Sequence, residues 1–317
     1  MIAYCFAKFI SRICCLLPAS VCEAVGRFLG NATWLLVPRA RKVLAKDNIM
    51  ACLGVGEAEA ERIAKASWAR FGPMLFEVMR FPKMKGHLDE RVEFEGMDEM
   101  RKCLAMGRGV VLATSHCGNW ELSGAAMSEA GIPLVAVGMR QKAAGFDRFI
   151  TEYRSLMGMH VTYKDDVREM FAMLRKGWVI GLLMDQDIDR RNGIVVDWFG
   201  RPTNFVQGPA VLARHEEAPI VPMYITQLPD GRHKVVFLPA IFVERTHDKK
   251  SDYARMTQKL ARMLENHVRT HPEDWFWVHD RWKSVRSMVA DGVLEELREK
   301  TRKMLEEQGP HQPQGKD

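Results

Sequence analysis

Hydrophobic positions along the chain follow two rhythms, and the change comes near Gly86. Before it the spacing is helical. Phe6, Ile10, Cys14 and Leu17 recur at i, i+4, i+8 and i+11, which puts them on one helical face. Pro18 interrupts this helix, and Ala24–Leu36 supplies a second. The pattern stays helical from Arg39 to Arg80, with Ile63, Ala66, Ala69 or Arg70, and Pro73 near one face, until Pro82 and Gly86 close it. Beyond Gly86, short apolar runs alternate with helical stretches, as they do when strands and helices share an α/β domain. Strands are predicted at Gly109–Thr114, Leu134–Val137, Val161–Tyr163, Trp178–Met184, Ile220–Thr226 and Lys234–Leu238. Helices are predicted at Asn119–Ala130, Gly145–Met157, Asp166–Arg175, Pro209–Glu216 and Asp252–Arg269. Leu294–Glu307 reads as a charged helix and Gln308–Asp317 as a loose polar tail. The expected organisation is an amphipathic helical arm over 1–38, a helical region over 39–85, an α/β domain over 86–290, and the charged helix with its tail over 291–317.

The arm is apolar enough to raise the question of a membrane. A spanning helix needs about 20 residues without charge, whereas Lys8, Arg12, Glu23 and Arg27 cut the arm into uncharged runs of at most 11 residues. A cleaved leader is not expected either, since Lys8 and Arg12 interrupt the apolar stretch that its basic residues should precede. Two amphipathic helices lying among lipid headgroups fit the pattern. Helices capping the core of their own domain are the other reading.

Composition narrows the class. The 317 residues are 47% hydrophobic and 27% charged, ordinary for a globular chain and against disorder or a polytopic membrane protein. Forty-six basic against forty acidic residues leave a net charge of +6. That excess suits an acidic protein partner, an anionic membrane or a phosphate-bearing substrate. It is too thin for nucleic acid, which calls for a concentrated basic face. Seven unevenly spaced cysteines, all between Cys5 and Cys117, argue for reduced thiols rather than a disulfide framework.

The stretch Thr114-Ser115-His116-Cys117-Gly118-Asn119-Trp120-Glu121 carries the chemistry. Its H-x4-E spacing alone is weak, because His160/Asp165 and His247/Asp252 share it. Side chains five apart on one short strand face opposite ways, which discounts His160 and Asp165, and His247 and Asp252 lie in a charge-rich loop, THDKKSD, that reads as solvated. His116 alone follows a buried strand and precedes a helix, at the carboxyl edge where ligands of open α/β sheets collect. Gly118 permits a tight turn, Asn119 caps the helix, and Glu121 in its first turn would fold back to the imidazole. A carboxylate that fixes one ring nitrogen lets the other take a proton from a hydroxyl or amine. Neighbouring Ser115 and Cys117 are poorly placed as nucleophiles, since adjacent strand residues point apart. The alternative is plain helix capping by Glu121 with a satisfied buried histidine.

HCGNWE and its strand resemble the bacterial lipid A biosynthesis acyltransferases of the lauroyl/myristoyl type, within the wider lysophospholipid and glycerolipid acyltransferase superfamily. The resemblance continues in order through Arg140, Arg154, MDQD at Met184–Asp187, Trp198–Pro222 and WFWVHDRWK at Trp275–Lys283. It implies the glycerolipid acyltransferase-like α/β fold, a mixed sheet flanked by helices. It further implies transfer of an acyl chain from an acyl carrier protein thioester to a hydroxyl of a membrane glycolipid at the cytoplasmic face of the inner membrane. By the resemblance His116 is the general base and Glu121 its partner, Arg140 and Arg154 meet phosphate groups, and Asp185 and Asp187 orient arginines or acceptor hydroxyls. Neither metal, cofactor nor covalent acyl-enzyme is implied, because a thioester is already activated. A glycerolipid acyltransferase acting on lysophospholipid is the alternative. Trp198-Phe199-Gly200 stands where relatives often have a phenylalanine pair before the glycine, which bears on the acceptor more than on the chemistry. Methionines such as Met74, Met127, Met139 and Met159 are candidates to line an acyl slot.

Overall fold

The computed structural model describes residues 2–306; the expected polar tail at Gln308–Asp317 lies outside them. Six helices lead the chain: α1 (Ile2–Leu16), α2 (Ala19–Thr33), α3 (Arg39–Leu53), α4 (Glu57–Ala69), α5 (Phe71–Met79) and the single turn α6 (Phe81–Met84). The first of them turns its small side inward, burying Ala7, Ser11 and Cys14. Ser11 donates to the Met79 carbonyl at 2.6 Å. The large residues Ile2, Phe6, Phe9, Ile13 and Leu16 face outward, Ile2 being 88% and Leu16 84% exposed. The predicted stripe is thus split, with Cys14 inside and Phe6 outside. Where α1 packs on the later helix Ala144–Leu156, a Cβ on Gly145 would lie 3.1 Å from the Tyr4 backbone nitrogen. Gly26 and Gly30 of α2 lie so near Ala69, Gly72 and Pro73 that a Cβ on either glycine would strike that backbone. Buried Arg80 bonds the carbonyls of Cys14 and Leu17, so the bend between α1 and α2 is pinned from within.

The body alternates as expected. Its elements are β1 (Val92–Glu95), α7 (Met97–Ala105), β2 (Val110–Thr114), α8 (Trp120–Glu129), β3 (Leu134–Gly138), α9 (Ala144–Leu156), β4 (His160–Tyr163), α10 (Val167–Arg175) and β5 (Val179–Leu183). There follow β6 (Gly193–Trp198), β7 (Arg201–Val206), α11 (Gly208–Glu216), β8 (Ile220–Gln227), β9 (His233–Phe237), α12 (Lys249–Thr270), α13 (Lys283–Ala290) and α14 (Leu294–Glu306). Seven strands form one mixed sheet in the order β1-β9-β8-β2-β5-β3-β4. Neighbours are parallel except β8 and β9. Strand β2 lies centrally and every residue of it is buried. Val111 and Ala113 join the core on one face, Val110 and Leu112 the core on the other, as the two-residue period of a strand requires. The separate β6–β7 hairpin turns through Phe199 and Gly200, both at positive φ (55° and 69°), the geometry of a tight two-residue hairpin turn.

Candidate active site

Parallel pairing of β2 and β5 sets the geometry. Thr114 is opposite Leu183 in the register, so His116 and Asp185 each stand two residues past a matched pair, side by side at the carboxyl edge. The His116 Nδ1 lies 2.8 Å from Asp185 Oδ1, and the His116 backbone N–H donates to the same oxygen at 3.0 Å. The other carboxylate oxygen accepts the Trp275 indole N–H at 2.8 Å. Asp185 is 1% exposed. Burial alone would raise its carboxyl, but the imidazole's charge and hydrogen bonds, with that of Trp275, outweigh it and hold the pKa down to about 2. Because the carboxylate only accepts, the neutral ring carries its proton on Nδ1 and leaves Nε2 to take another. The His116 side chain is 18% exposed, within reach of a substrate.

Glu121 therefore does not serve as the imidazole's partner in this geometry. It receives the Arg154 fork, Nε to Oε2 at 2.9 Å and Nη2 to Oε1 at 2.6 Å, and the Trp120 indole N–H at 3.2 Å. Glu121 looks along α8 to α9, whereas the ring is reached from β5, and the nearer carboxylate takes it. Burial opposes the Arg154 charge, yet Glu121 more than compensates and raises its pKa. The same pairing spends the fork that was expected to meet phosphate. Arg140 is exposed and lies over the Tyr163 ring at 3.8 Å, so the two arginines do not form one clamp. Asp187 accepts from the Ser284 backbone N–H and hydroxyl at 2.9 and 2.5 Å, holding the start of α13. Its own N–H donates to His279 Nε2 at 3.0 Å. Elsewhere His160 bonds Glu169, not Asp165. Asp252 is buried on Arg214 and Thr246, a correction to the solvated loop expected there.

The surroundings differ on the two sides. Trp120 meets the His116 ring edge-on, centroids 4.8 Å apart. It also borders an apolar cavity of about 160 Å³ lined by Phe71, Met74, Leu75, Phe146 and Ile150 among others. A smaller apolar cavity of about 50 Å³, with Met127 and Met159 in its wall, runs under the sheet and shares Trp120, Glu121 and Arg154. Met139, by contrast, is 60% exposed. Beyond Asp187 opens a polar cleft of about 800 Å³ lined by Arg41, Arg190, Arg191, His279 and Lys283 together with aspartates. Cys117 is buried and its thiol is pushed up by burial and by Asp185. Ser115 is buried as well. Among the described residues no group of three or more histidines, cysteines or acids is placed to hold a metal ion.

The sequence family described as bacterial lipid A biosynthesis acyltransferase matches residues 2–284. The chain belongs to that family. The acyltransferase is 28% identical to the phosphatidylinositol mannoside acyltransferase of Mycolicibacterium smegmatis, over 75% of this chain and 78% of that protein. It is 30% identical to the phosphatidylinositol mannoside acyltransferase of Mycobacterium tuberculosis, over 75% and 76%. It is 24% identical to the lipid A biosynthesis lauroyltransferase of Escherichia coli, over 84% and 87%. Within the acyltransferase, Trp275 and His279 are site residues that the sequence offered only as parts of an ordered motif. Trp120 was legible only as a member of HCGNWE.

Proposed function

We propose that the protein moves a fatty acyl chain from an acyl carrier protein thioester to a hydroxyl of a lipid A precursor or related membrane glycolipid, with His116 as general base oriented by Asp185. The observation that carries this reading is the His116–Asp185 pair with its neighbours: Trp120, packed on the imidazole, borders the apolar cavity, and Asp187, two residues past Asp185, borders the polar cleft. An acyl chain suits the first and a sugar headgroup the second. The acceptor hydroxyl gives its proton to His116 Nε2 as its oxygen bonds to the thioester carbonyl carbon. The tetrahedral adduct expels the thiolate, which recovers the proton from the imidazolium, leaving an ester and a thiol. Burial of Ser115 and Cys117 favours direct attack over an acyl-enzyme.

The arm supports a peripheral membrane site at the cytoplasmic face of the inner membrane. Among the described residues no helix is long and apolar enough to cross a bilayer. The outward row of α1 is joined by Phe28, Leu35 and Leu36, the last two 80% and 81% exposed. Leu75 and Phe146 are both partly exposed and part of the apolar cavity's wall. A lipid chain would thus pass from headgroup level into the cavity. The net charge of +6 suits an anionic leaflet and an acidic carrier protein.

Product mass tests the reading. The purified protein is given acyl carrier protein thioester and, separately, tetra-acylated lipid A precursor, phosphatidylinositol mannoside and lysophosphatidate. A glycolipid that gains one acyl mass is the expected result. Acylation of lysophosphatidate alone would establish the glycerolipid alternative, and release of free fatty acid at the same rate without acceptor would establish a hydrolase.

A further inference from the structure

Arg70 stands at the junction of α4 and α5, in the helical layer that precedes the sheet, yet its guanidinium reaches the turn that carries the base. Its Nη1 donates to the Gly118 carbonyl at 2.5 Å and its Nη2 to the His116 carbonyl at 2.9 Å. These two oxygens flank Cys117, so one rigid fork fixes both peptide planes of the turn. Gly118 has φ of +56°, and a Cβ there would strike the Ile225 carbonyl. Its N–H donates to the Asp274 carbonyl at 3.1 Å. Asp185 holds the His116 N–H. The turn is therefore gripped at three points from three different segments, and Arg70 is the only charged donor among these grips.

The neighbour of Arg70 addresses the ring itself. Phe71 packs edge-on against Trp120 at 5.9 Å, and Trp120 packs edge-on against His116 at 4.8 Å. The Arg70 guanidinium also lies over the Phe71 ring, 4.7 Å from its centre. One junction thus sets the His116 backbone through Arg70 and backs the imidazole through Phe71. Burial works against the Arg70 charge, with Asp274 as its main opposing influence. A residue kept only for stability would more simply be apolar here.

We infer that Arg70 is a positioning residue for acyl transfer, fixing the His116–Gly118 turn so that the imidazole meets the acceptor hydroxyl. The inference rests on His116 serving as the base. Because α4 and α5 also pack on α2 through Gly26, Gly30 and Gly72, the amino-terminal helices are then part of the catalytic architecture and not only a means of attachment.

Steady-state acyl transfer tests it, with Arg70→Met, Arg70→Lys and His116→Ala in the full chain. Displacing a reacting group by about 1 Å costs about 100-fold, so Arg70→Met lowers kcat by about 10- to 100-fold and leaves both KM values within about threefold. Arg70→Lys, which keeps the charge but not the fork, retains an intermediate kcat. In the His116→Ala background, Arg70→Met changes the residual rate by less than about twofold, as expected when one residue acts through another. A wild-type kcat in Arg70→Met, a loss confined to KM, or an equal loss in the His116→Ala background overturns the assignment. If Arg70→Met does not fold, Arg70→Lys decides by the same split between kcat and KM. Full activity in His116→Ala alone refutes the base itself. An inactive His116→Ala beside a fully active Arg70 variant refutes only Arg70.

Discussion

Replacing Asp185 by asparagine changes one buried oxygen to an amide and removes one charge. The wild-type carboxylate meets donors on both oxygens: the His116 backbone N–H and ring Nδ1 on one, the Trp275 indole N–H on the other. Asparagine has one acceptor, so in either orientation its amide N–H faces another donor. Leaving a buried donor unmatched costs about 1–3 kcal/mol of stability. The catalytic loss is larger in kind. Against the cost of burial, the charge and hydrogen bonds of His116 and the Trp275 indole hold the Asp185 carboxyl well below the usual carboxylate range, so the carboxylate in turn supports an imidazolium beside it. Losing that support, together with a wrongly protonated ring, lowers the rate by about 10²–10⁴. The assay is kcat and KM with carrier-bound acyl donor and glycolipid acceptor, for Asp185→Asn and Glu121→Gln side by side, below the melting temperature of either. Asp185→Asn is expected to lose kcat at nearly constant KM. If Asp185→Asn kept kcat within about threefold while Glu121→Gln lost about 100-fold, the imidazole's partner would be Glu121 and the reasoning would fail.

Glu121→Ala strands the largely buried Arg154, and urea unfolding should show a loss of about 3–5 kcal/mol, most of it recovered in the Glu121→Leu/Arg154→Leu double variant. The depressed Asp185 pKa also sets an acid dependence. A carboxyl lowered from 3.8 to about 2 contributes stability that is full above pH 4 and lost as pH falls through 2, so wild type should lose about 2 kcal/mol across that window that Asp185→Asn does not lose. On the arm, the triple change Phe6→Glu, Phe9→Glu and Leu16→Glu should weaken sedimentation with anionic vesicles by about tenfold or more while barely moving the melting temperature, since all three side chains are exposed. Unchanged vesicle binding would remove α1 from the membrane account. Deleting 1–38 is a poorer test, because α2 is packed backbone to backbone on α5.

Local signals made most of the fold legible. The runs at Gly109–Thr114 and Trp178–Met184 are continuous and apolar because both strands are central, and the turns at their ends carry glycine. Strand β1 escaped because VEFE is four residues at a sheet edge. The β6–β7 hairpin escaped because Trp198-Phe199-Gly200 reads as a motif before it reads as a turn. At the site, His116 was visible through its place between a buried strand and a capped helix. Its partner was not. Sequence proximity favoured Glu121, five residues away, whereas pairing of β2 with β5 brings up Asp185 from 69 positions along the chain. Only the register of the sheet contains that information. Which residues of the α1 stripe are covered was not legible for a related reason: it depends on the helices that pack against α1, which lie far along the chain.

The most direct measurement is the single-turnover rate of ester formation by the wild-type and His116→Ala proteins, with carrier-bound acyl donor and glycolipid acceptor both saturating. The account predicts a fall of about 100-fold or more for His116→Ala, with the donor still bound. Ester formation at the wild-type rate without the imidazole would contradict it.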